Sequence, residues 1–460
     1  MNRSSSFSFV SLLLGALMLP ATVLHCRAAE QTVSADDEAA FKSTAMPNPG
    51  KWPAPSYAAL PKPDITVAAD GSGNFKTIQE AINSIPADNT QRMVIYIKDG
   101  FYSEILRMSA PYVTLRGQSR DGTRIVAPAA SVINVGGKDC IFQNLTVSNT
   151  AGSKGVHAEC FSGRVCDHCV IEDCNVYSDG DDTIALWQND GHYYHARLNV
   201  TGSVDFVCPH AACYMTDSKL YEMNQGIEAM MWHDGQYDAT QKFVIRNCQY
   251  DGAYGFNLGR HHHDGLFFFL DCTMSKMQND KPPYRVVYPL DGSTPTAADI
   301  AKNQGLDASN KWGERAYYFN DKKEGGNYPW MTNNLDKAPG SPKPEEVTAK
   351  WAFNGAWDPE RTSGPGVTEV AGIQNAGSGA FSIHFSEPVT VKGKPRLVLK
   401  SGGFANYTSG SGSDTLTFST PTGAADVPAS VDLNGGFILA SEADATTVMA
   451  NTTLPAAKAN

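Results

Sequence analysis

The sequence predicts an all-β protein, in which a right-handed parallel β-helix is followed by a small antiparallel β-sandwich. Charged residues make up 18% of the 460 residues and glycines number 41, a composition typical of proteins with many short strands and turns. Strand-like segments of one design recur through positions 140–274 at intervals of roughly 20 to 30 residues, which indicates a solenoid. After residue 366 the segments alternate apolar and polar residues, as antiparallel strands with one buried face do.

Residues 1–29 have the pattern of a secretory signal peptide. Arg3 precedes an apolar run over residues 9–24, and small residues follow at Ala28 and Ala29. We therefore expect an exported protein that acts in the periplasm or outside the cell. No later apolar run approaches the roughly 20 residues of a membrane-spanning helix, so we predict no membrane span. Residues 30–62 form an N-terminal extension in this interpretation.

The overall charge limits the classes of partner. A net charge of −11 and an isoelectric point near 5.5 argue against nucleic acid, because no basic stripe stands out in the sequence. An acidic polysaccharide would also be repelled overall, so a site for one requires local positive charge. We expect a monomer that needs no cofactor.

Ten cysteines include Cys26 in the signal segment, which leaves nine in the mature chain. Cys174, Cys248 and Cys272 each follow Asp or Asn at the same point of successive strand-like segments. This pattern favours stacked, buried thiols, which cysteine tolerates well. One or two disulfides are the alternative for an exported protein.

Two short segments have residues that could bind a metal. Cys166-Asp-His-Cys169 has zinc-like spacing, but buried thiols explain its cysteines better. In the segment His261-His-His-Asp264, a strand would place only His261 and His263 on the same side. A complete ligand set is therefore not evident, and we predict no metal site.

A short helix is predicted before the repeats begin. Thr77 and Glu80 have the spacing of an N-terminal capping box. Ile78, Ala81 and Ile82 lie on one face of the helix that follows, which suits a lid on the end of a hydrophobic core.

The repeated segments share an apolar run, a polar step and an apolar close. Their polar steps lie at Asn144, Asp173, Arg197, Asp217, Asn247 and Asp271. The interval between these steps is irregular, as in many solenoids. A sandwich would show turns more often, about every 8–12 residues, so a parallel β-helix fits best. We place this domain at residues 63–336.

Three further regions complete the predicted organisation. Residues 276–334 are interpreted as long loops, whose aromatic residues either stack on sugars or pack against the coil. These aromatics are Trp312, Tyr317, Tyr318, Tyr328 and Trp330. The proline-rich residues 337–366 form a linker or a final wrap. In residues 367–460, Phe385-Ser-Glu-Pro-Val389 resembles bacterial immunoglobulin-like modules.

Two carboxylates, Asp182 and Asp205, lie in successive strand-like segments and are separated by one repeat interval. One coil turn per interval places them on neighbouring rungs, about 4.8 Å apart. Two carboxylates that close cannot both ionise at their ordinary pKa, so one is a candidate nucleophile and the other a candidate acid. Such a pair on its own is more often two turn or surface acids.

Five further segments lie in order within residues 65–275: Gly71-Ser-Gly-Asn-Phe-Lys-Thr-Ile-Gln79, Tyr96-Ile-Lys-Asp-Gly-Phe-Tyr-Ser-Glu104, Asp182-Thr183, Gly202-Ser-Val-Asp-Phe-Val207 and Leu258-Gly-Arg260. With these segments, the region resembles the pectin methylesterase family. Each is a weak or moderate signal, but five in the family's order argue against chance.

The resemblance implies a parallel β-helix whose open groove binds methyl-esterified polygalacturonate. It also implies that Asp205 is the nucleophile on the C6 ester carbonyl, and that Asp182 protonates the departing methanol and then activates water. Arg260 holds the Asp205 carboxylate by charge-assisted hydrogen bonds in this interpretation. We expect Arg260 to lower the pKa of Asp205, which makes Asp182 the protonated partner.

The chain departs from the family's pattern around these residues. Asp181 stands where the family has an oxyanion-binding glutamine, and a carboxylate can donate there only when it is protonated. His157 is the nearest candidate for the other oxyanion glutamine, at a spacing that differs by two. His262 replaces the ring that stacks on the sugar, and Val204 and Cys208 are further candidate substrate contacts.

Three functions are compatible with these observations. The leading hypothesis is an exported esterase that demethylates pectin and leaves the polymer backbone intact. The second is a polygalacturonase-like hydrolase that uses two carboxylates to cleave glycosidic bonds. The third is a non-catalytic pectin-binding protein, in which the replacements at Asp181 and His262 mark lost catalysis.

Overall fold

The computed structural model describes residues 63–454, except 91, 154, 225–228, 236–237, 361–369, 376–378, 422–425, 433, 435–436, 441–451 and 453. The predicted signal peptide and the predicted N-terminal extension, residues 30–62, lie outside these residues.

Three parallel sheets form the β-helix that the repeats predict. Within each sheet, hydrogen-bonded neighbours follow one another in chain order and are separated by strands of the other sheets, so each neighbour is one turn further along the coil. Sheet A has ten strands: Ile65–Val67, Met93–Ile97, Val113–Gly117, Ile141–Gln143, Cys169–Glu172, His192–Ala196, Ala212–Thr216, Phe243–Arg246, Leu266–Leu270 and Arg315–Phe319. Sheet B has nine: Gly100–Tyr102, Thr123–Ala127, Thr146–Asn149, Asn175–Ser178, Asn199–Gly202, Lys219–Glu222, Gln249–Gly252, Thr273–Met274 and Lys322–Lys323.

Sheet C is divided into two segments. Its first segment contains Leu106–Met108, Ser131–Val135, Glu159–Gly163 and Ile184–Leu186. Its second segment contains Ala229–Trp232, Asn257–His261 and Tyr284–Arg285. Val207 connects the two by isolated bridges to Ile184 and Met231. The rung that carries Asp205 is therefore the irregular one in this sheet.

The polar steps of the repeat are the turns between sheets A and B. All six residues have φ between 52° and 57°, the left-handed region that Asn and Asp adopt more readily than other non-glycine residues. They also bind one another or neighbouring turns: Asn144 Nδ2 donates to Gly117 O at 3.0 Å, and Arg197 Nε donates to Asp173 Oδ1 at 2.8 Å. Local backbone chemistry thus sets the period that is visible in the sequence.

Apolar side chains and thiols fill the interior of the coil. All nine cysteines of the described residues are free and buried, with Cys174, Cys248 and Cys272 at equivalent turns. Buried thiols are confirmed, no disulfide forms among these cysteines, and the register places only Cys248 and Cys272 of the three on adjacent rungs. The predicted helix spans Ile78–Asn83, and Thr77 Oγ1 accepts a hydrogen bond from the Glu80 amide at 3.3 Å.

The region after residue 276 is more ordered than the sequence predicts. A 13-residue helix, Ala297–Ser309, begins at a capping box formed by Thr296 and Asp299, a signal that the loop interpretation overlooked. Short 3-10 helices cover Pro329–Met331, Leu335–Lys337 and Pro344–Glu346, and an α-helix covers Ala349–Ala352.

The aromatic residues of this region mostly pack against the coil. Tyr318 is buried in the core, and Tyr328 and Trp330 pack on it with their rings 5.9 Å apart. Tyr317 contacts Phe268 with ring centroids 5.0 Å apart. For these four residues the packing alternative is the correct one.

An antiparallel sheet of seven strands follows. Its strands are Val370–Asn375, Ala380–Lys392, Arg396–Leu399, Phe404–Ser409, Ser413–Ser419, Pro428–Asp432 and Phe437–Ala440. Phe381, Leu397, Leu416 and Phe418 are among the residues of its separate buried core. The immunoglobulin-like character of this module stays a prediction. Among the described residues, no helix is both long and apolar enough to cross a membrane.

Candidate active site

The irregular rung of sheet C places Asp182 beside Asp205. The bridge between Ile184 and Val207 fixes the register of the two rungs. Two residues earlier on the first rung, the Asp182 amide donates to Val204 O at 2.9 Å. The sequence interval between the two aspartates therefore corresponds to one turn of the coil.

Both aspartates have a left-handed backbone, with φ of 59° at Asp182 and 48° at Asp205. Such conformations cost energy in non-glycine residues and are concentrated at functional sites. Gly202 makes this arrangement sterically possible, because a Cβ at that position would lie 2.3 Å from the Phe206 Cβ atom. The packing of Phe206 thus requires a glycine at position 202.

Arg260 binds the Asp205 carboxylate through both of its oxygens. Arg260 Nε donates to Oδ1 at 3.0 Å and to Oδ2 at 3.1 Å, and Nη2 donates to Oδ2 at 2.7 Å. The two side chains are 12% and 7% exposed. This planar pairing holds the carboxylate in one orientation.

The electrostatic balance at Asp205 differs from the sequence-based expectation. Burial is the largest influence and raises the pKa of Asp205 to about 8, although Arg260 acts in the opposite direction and Asp182 adds a smaller upward effect. Arg260 acts in the expected direction, but the expectation omitted the cost of burying a carboxylate, which is the larger effect.

His157 provides a second cation at the site. Its Nδ1 lies 2.9 Å from Asp182 Oδ2, and its side chain is 62% exposed whereas that of Asp182 is 8% exposed. The hydrogen bond to Asp182 raises the pKa of His157 to about 9. His157 is thus a cation at neutral pH, and its Nδ1–H donates to Asp182 Oδ2.

Asp181 pairs with His157 in an isolated backbone bridge, which joins the rung of Asp181 to the preceding rung. Its Oδ2 accepts from the Gly155 amide at 3.1 Å, while its buried Oδ1 has no hydrogen-bond partner among the described residues. Burial, reinforced by Asp182, raises the pKa of Asp181. A protonated Asp181 would have a hydroxyl to donate.

The other residues predicted to contact the substrate are Val204, Cys208 and His262. Val204 and Cys208 are only 5% and 2% exposed, so they form the floor of the site rather than an open surface. The His262 amide donates to Asp234 Oδ1, and His262 Nε2 is 2.6 Å from the Tyr288 hydroxyl. Burial lowers the pKa of His262 to about 4, so this imidazole is neutral.

Sequence reasoning missed a group of aromatic residues around these positions. Trp187 stacks on His210 with ring centroids 4.8 Å apart, and the Arg164 guanidinium lies 3.7 Å from the Trp187 ring centroid. Trp187 Nε1 donates to Cys208 O at 2.8 Å. Trp187 and Ala185 alternate along the chain with residues of the core. The two-residue period of a strand could therefore have predicted that the Trp187 side chain points away from the core.

Trp232 forms the second part of this aromatic group. It pairs in register with Arg260 on the next rung, and its ring meets the His262 ring edge-on at 4.1 Å. Trp232 packs with Cys208 and Val286 in a small cluster outside the main core. We name the group formed by five of these residues the aromatic wall: Trp187, Trp232, His210, His262 and Tyr288.

Known proteins that this chain resembles in sequence are pectinesterases. The Pectinesterase family model matches residues 64–262. A pectinesterase of Petunia integrifolia is 30% identical over 205 residues, which are 41% of this chain and 54% of that protein. A probable pectinesterase of Arabidopsis thaliana is 30% identical over 185 residues, 38% of this chain and 63% of that protein. The chain thus spans only part of the length of these curated relatives.

Solved structures share the fold. A pectin methylesterase from Erwinia chrysanthemi superposes with a TM-score of 0.51 at 20% identity, covering 65% of this chain and 99% of that one. A carrot pectin methylesterase gives a TM-score of 0.50 at 19% identity, covering 64% and 94%. The chain is thus similar in sequence to pectinesterases over residues 64–262, and it shares the fold of the solved pectin methylesterases.

Proposed function

We propose that this protein is an esterase that hydrolyses the C6 methyl esters of pectin to free carboxylate and methanol. One observation carries the proposal: Asp205 is fixed by Arg260 through three hydrogen bonds, with Asp182 one rung away. A nucleophile and a proton donor held side by side are what acyl transfer through a covalent intermediate requires.

Asp205 is the nucleophile in the proposed mechanism. Its carboxylate attacks the C6 carbonyl carbon, and the carbonyl electrons form an oxyanion. When this intermediate collapses, the bond to the methoxy oxygen breaks and Asp182 delivers a proton to the departing methanol. The acyl group is now an anhydride on Asp205. Asp182 then takes a proton from water, which attacks the anhydride and regenerates the Asp205 carboxylate.

The His157 and Asp182 pair supplies the proton. The two side chains are joined at 2.9 Å, and the pKa of His157 is raised to about 9 by this contact. The pair therefore holds one proton at neutral pH, which can move onto Asp182 as the methoxy oxygen becomes basic. His157 also places positive charge near the developing oxyanion.

Asp181 is the proposed second oxyanion donor. Burial raises its pKa, and its buried Oδ1 has no partner among the described residues. A carboxylic acid that donates from a buried position can replace an amide donor there. This role accounts for a carboxyl group where the family has glutamine.

The aromatic wall is the proposed binding surface for the sugar rings. Aromatic faces stack on apolar faces of sugars; Trp187 is partly exposed beside Cys208 at the floor of the site, whereas Trp232, at 7% exposed, is a buried part of the wall. The exposed Arg164 side chain over Trp187 adds the local positive charge that an acidic polymer needs. A solved pectin methylesterase of the same fold is in complex with a hexasaccharide, and its TM-score to this chain is 0.51.

The site of action follows from the predicted export. Residues 1–29 have the pattern of a signal peptide, and pectin is a polymer outside the cell. We infer that the enzyme acts in the periplasm or the extracellular space.

Methanol and reducing ends separate the proposed activity from its alternatives. The purified mature chain should release methanol from highly methylated pectin without forming new reducing ends. New reducing ends would instead favour a glycoside hydrolase. Pectin binding without methanol release, unchanged in Asp205→Ala, would favour the non-catalytic binding protein.

A further inference from the structure

Side chains that can bind a metal lie on adjacent rungs of the coil, at the corner where sheet C leads into sheet A. Cys169 pairs with Tyr193, so His168 and His192 occupy the same position on adjacent rungs. Asp139 occupies that position on the preceding rung, and its amide donates to Asp167 O at 2.8 Å, which ties these turns together.

The Asp167 carboxylate lies between the two imidazoles. Its Oδ1 is 2.9 Å from His192 Nδ1, and its Oδ2 is 3.4 Å from His168 Nδ1. The imidazole rings are nearly parallel, at 24°, with centroids 5.3 Å apart. One ligand atom from each of Asp167, His168 and His192 can be chosen so that all three lie within 4.8 Å of one another.

These separations suit a metal ion. Zinc binds histidine nitrogen and carboxylate oxygen at about 2.0–2.2 Å with tetrahedral geometry, which separates neighbouring ligand atoms by about 3.4 Å. The contact of Asp167 Oδ2 with His168 already has this length, whereas the contact of Asp167 Oδ1 with His192, at 2.9 Å, must open by about 0.5 Å. Two imidazoles with one carboxylate are also a ligand set suited to zinc and similar transition metals.

Sequence spacing alone would suggest two nearby cysteines as the metal ligands, and not Asp167, His168 and His192. In Cys166-Asp-His-Cys169 the two cysteines have the familiar separation, but both thiols are buried in the core. The two residues between them are partly exposed and meet His192 from the next rung. The ligand set is therefore built across rungs and is not visible within one segment.

The surroundings suggest what an ion here would stabilise. The His168 ring lies 4.9 Å from the Trp357 ring, and the His192 ring lies 5.6 Å from the Phe353 ring. Both aromatic residues belong to the segment that follows the helix Ala349–Ala352 and packs on the outside of sheet A. An ion bound to the two histidines would join two adjacent rungs of the coil at the place where this segment packs on them.

We propose that Asp167, His168 and His192 bind one divalent transition-metal ion, with zinc the best match. The ion stabilises the fold and takes no part in ester hydrolysis, because its ligands lie on sheet A and its preceding turn, whereas Asp182 and Asp205 each lie two residues before the bridged residues Ile184 and Val207 of sheet C. This proposal does not depend on the proposed esterase activity.

The test uses calorimetric titration of the tag-free mature chain, first stripped with chelator, with zinc chloride. We expect one high-affinity equivalent, and an upward shift of a few degrees in Tm at zinc concentrations about 100 times the Kd. His168→Asn suits the left-handed φ of 52° at this position and removes the imidazole. It should weaken zinc binding at least tenfold, as should His192→Gln.

Two controls separate metal binding from misfolding. His384→Gln removes a histidine from the antiparallel C-terminal sheet and should leave zinc binding unchanged. The zinc-free Tm of His168→Asn and His192→Gln should stay close to that of the parent chain. Absence of a stoichiometric zinc equivalent in the parent chain would overturn the proposal, since the cluster would then be a hydrogen-bonded ion pair only. Equal zinc affinity in the parent chain and in both variants would overturn it as well.

Discussion

Replacing Arg260 with glutamine should make the esterase depend on alkaline pH. Burial raises the pKa of Asp205 to about 8 even though Arg260 opposes it through three contacts of 2.7–3.1 Å. Removing one member of a buried ion pair costs about 3–5 kcal/mol. At about 1.36 kcal/mol per pKa unit, this raises the Asp205 pKa further by roughly 2 to 4.

The expected loss of rate follows from the ionised fraction of Asp205. At pH 8 that fraction falls from about one half to about 1% or less when the pKa rises by at least two. The kcat/KM for methanol release should therefore fall by about 50-fold or more at pH 8 in Arg260→Gln. The kcat/KM of Arg260→Lys at pH 8 should lie between those of the parent enzyme and Arg260→Gln, because lysine keeps the charge but lacks the planar guanidinium that matches a carboxylate.

Initial rates of methanol release from methylated pectin between about pH 6 and pH 10, corrected for the enzyme-free reaction, provide the measurement. In Arg260→Gln the logarithm of the rate should continue to rise with pH up to about pH 9, the pKa of His157, whereas the parent enzyme levels off above its Asp205 pKa of about 8. Arg197→Gln is the matched control, since Arg197 is also 12% exposed and pairs with a buried aspartate, but at a turn between sheets A and B. An equal loss at every pH in Arg260→Gln, or less than a tenfold loss at pH 8, would refute the reasoning.

Three further substitutions test other parts of the site and the fold. His157→Gln should remove the decline in activity above about pH 9, the pKa to which Asp182 raises this histidine, and should lower kcat by about 10²–10³ if His157 stabilises the oxyanion; an unchanged pH profile would exclude that role. Asp181→Asn provides a permanent amide donor and removes a group that raises the Asp205 pKa whenever it ionises, so activity should be retained and the acid limb of kcat/KM should stay in place or move to lower pH; a shift to higher pH would contradict it. Burial raises the pKa of Asp321 to about 8, so the folded state keeps a proton that the unfolded chain loses near pH 4, and stability is lost as pH rises from about 4 to 8. Thermal melts should therefore show Asp321→Asn more stable than the parent chain at pH 8 and nearly equal to it at pH 4; equal Tm differences at both pH values would argue against the charge effect.

Features that depend on local backbone chemistry were predictable from the sequence. Asn144 and Asp271 mark turns because asparagine and aspartate adopt the left-handed conformation that each turn requires. The same reasoning covers Asp182 and Asp205, whose spacing equals one rung of the coil. A period imposed by turns is present in every repeat, so it is visible without the structure.

Features that depend on packing across rungs were not predictable. The pKa of Asp205 is set mainly by its burial, which depends on side chains from several segments. Trp232 joins the aromatic wall through its register with Arg260, which the irregular rung at Val207 obscures in the sequence. The contact of Asp167 with His192 likewise joins two rungs, and no spacing within one segment encodes it.

Methanol release from highly methylated pectin by the parent chain, Asp205→Asn and Asp182→Asn tests the account most directly. Both substitutions are nearly isosteric, so loss of function through misfolding can be checked by equal Tm values. We expect methanol from the parent chain, no detectable release from Asp205→Asn, and a loss in Asp182→Asn that is smaller for esters with a better leaving group than methanol. Methanol release by Asp205→Asn at the parent rate would contradict the assignment of the nucleophile, and with it the proposed mechanism.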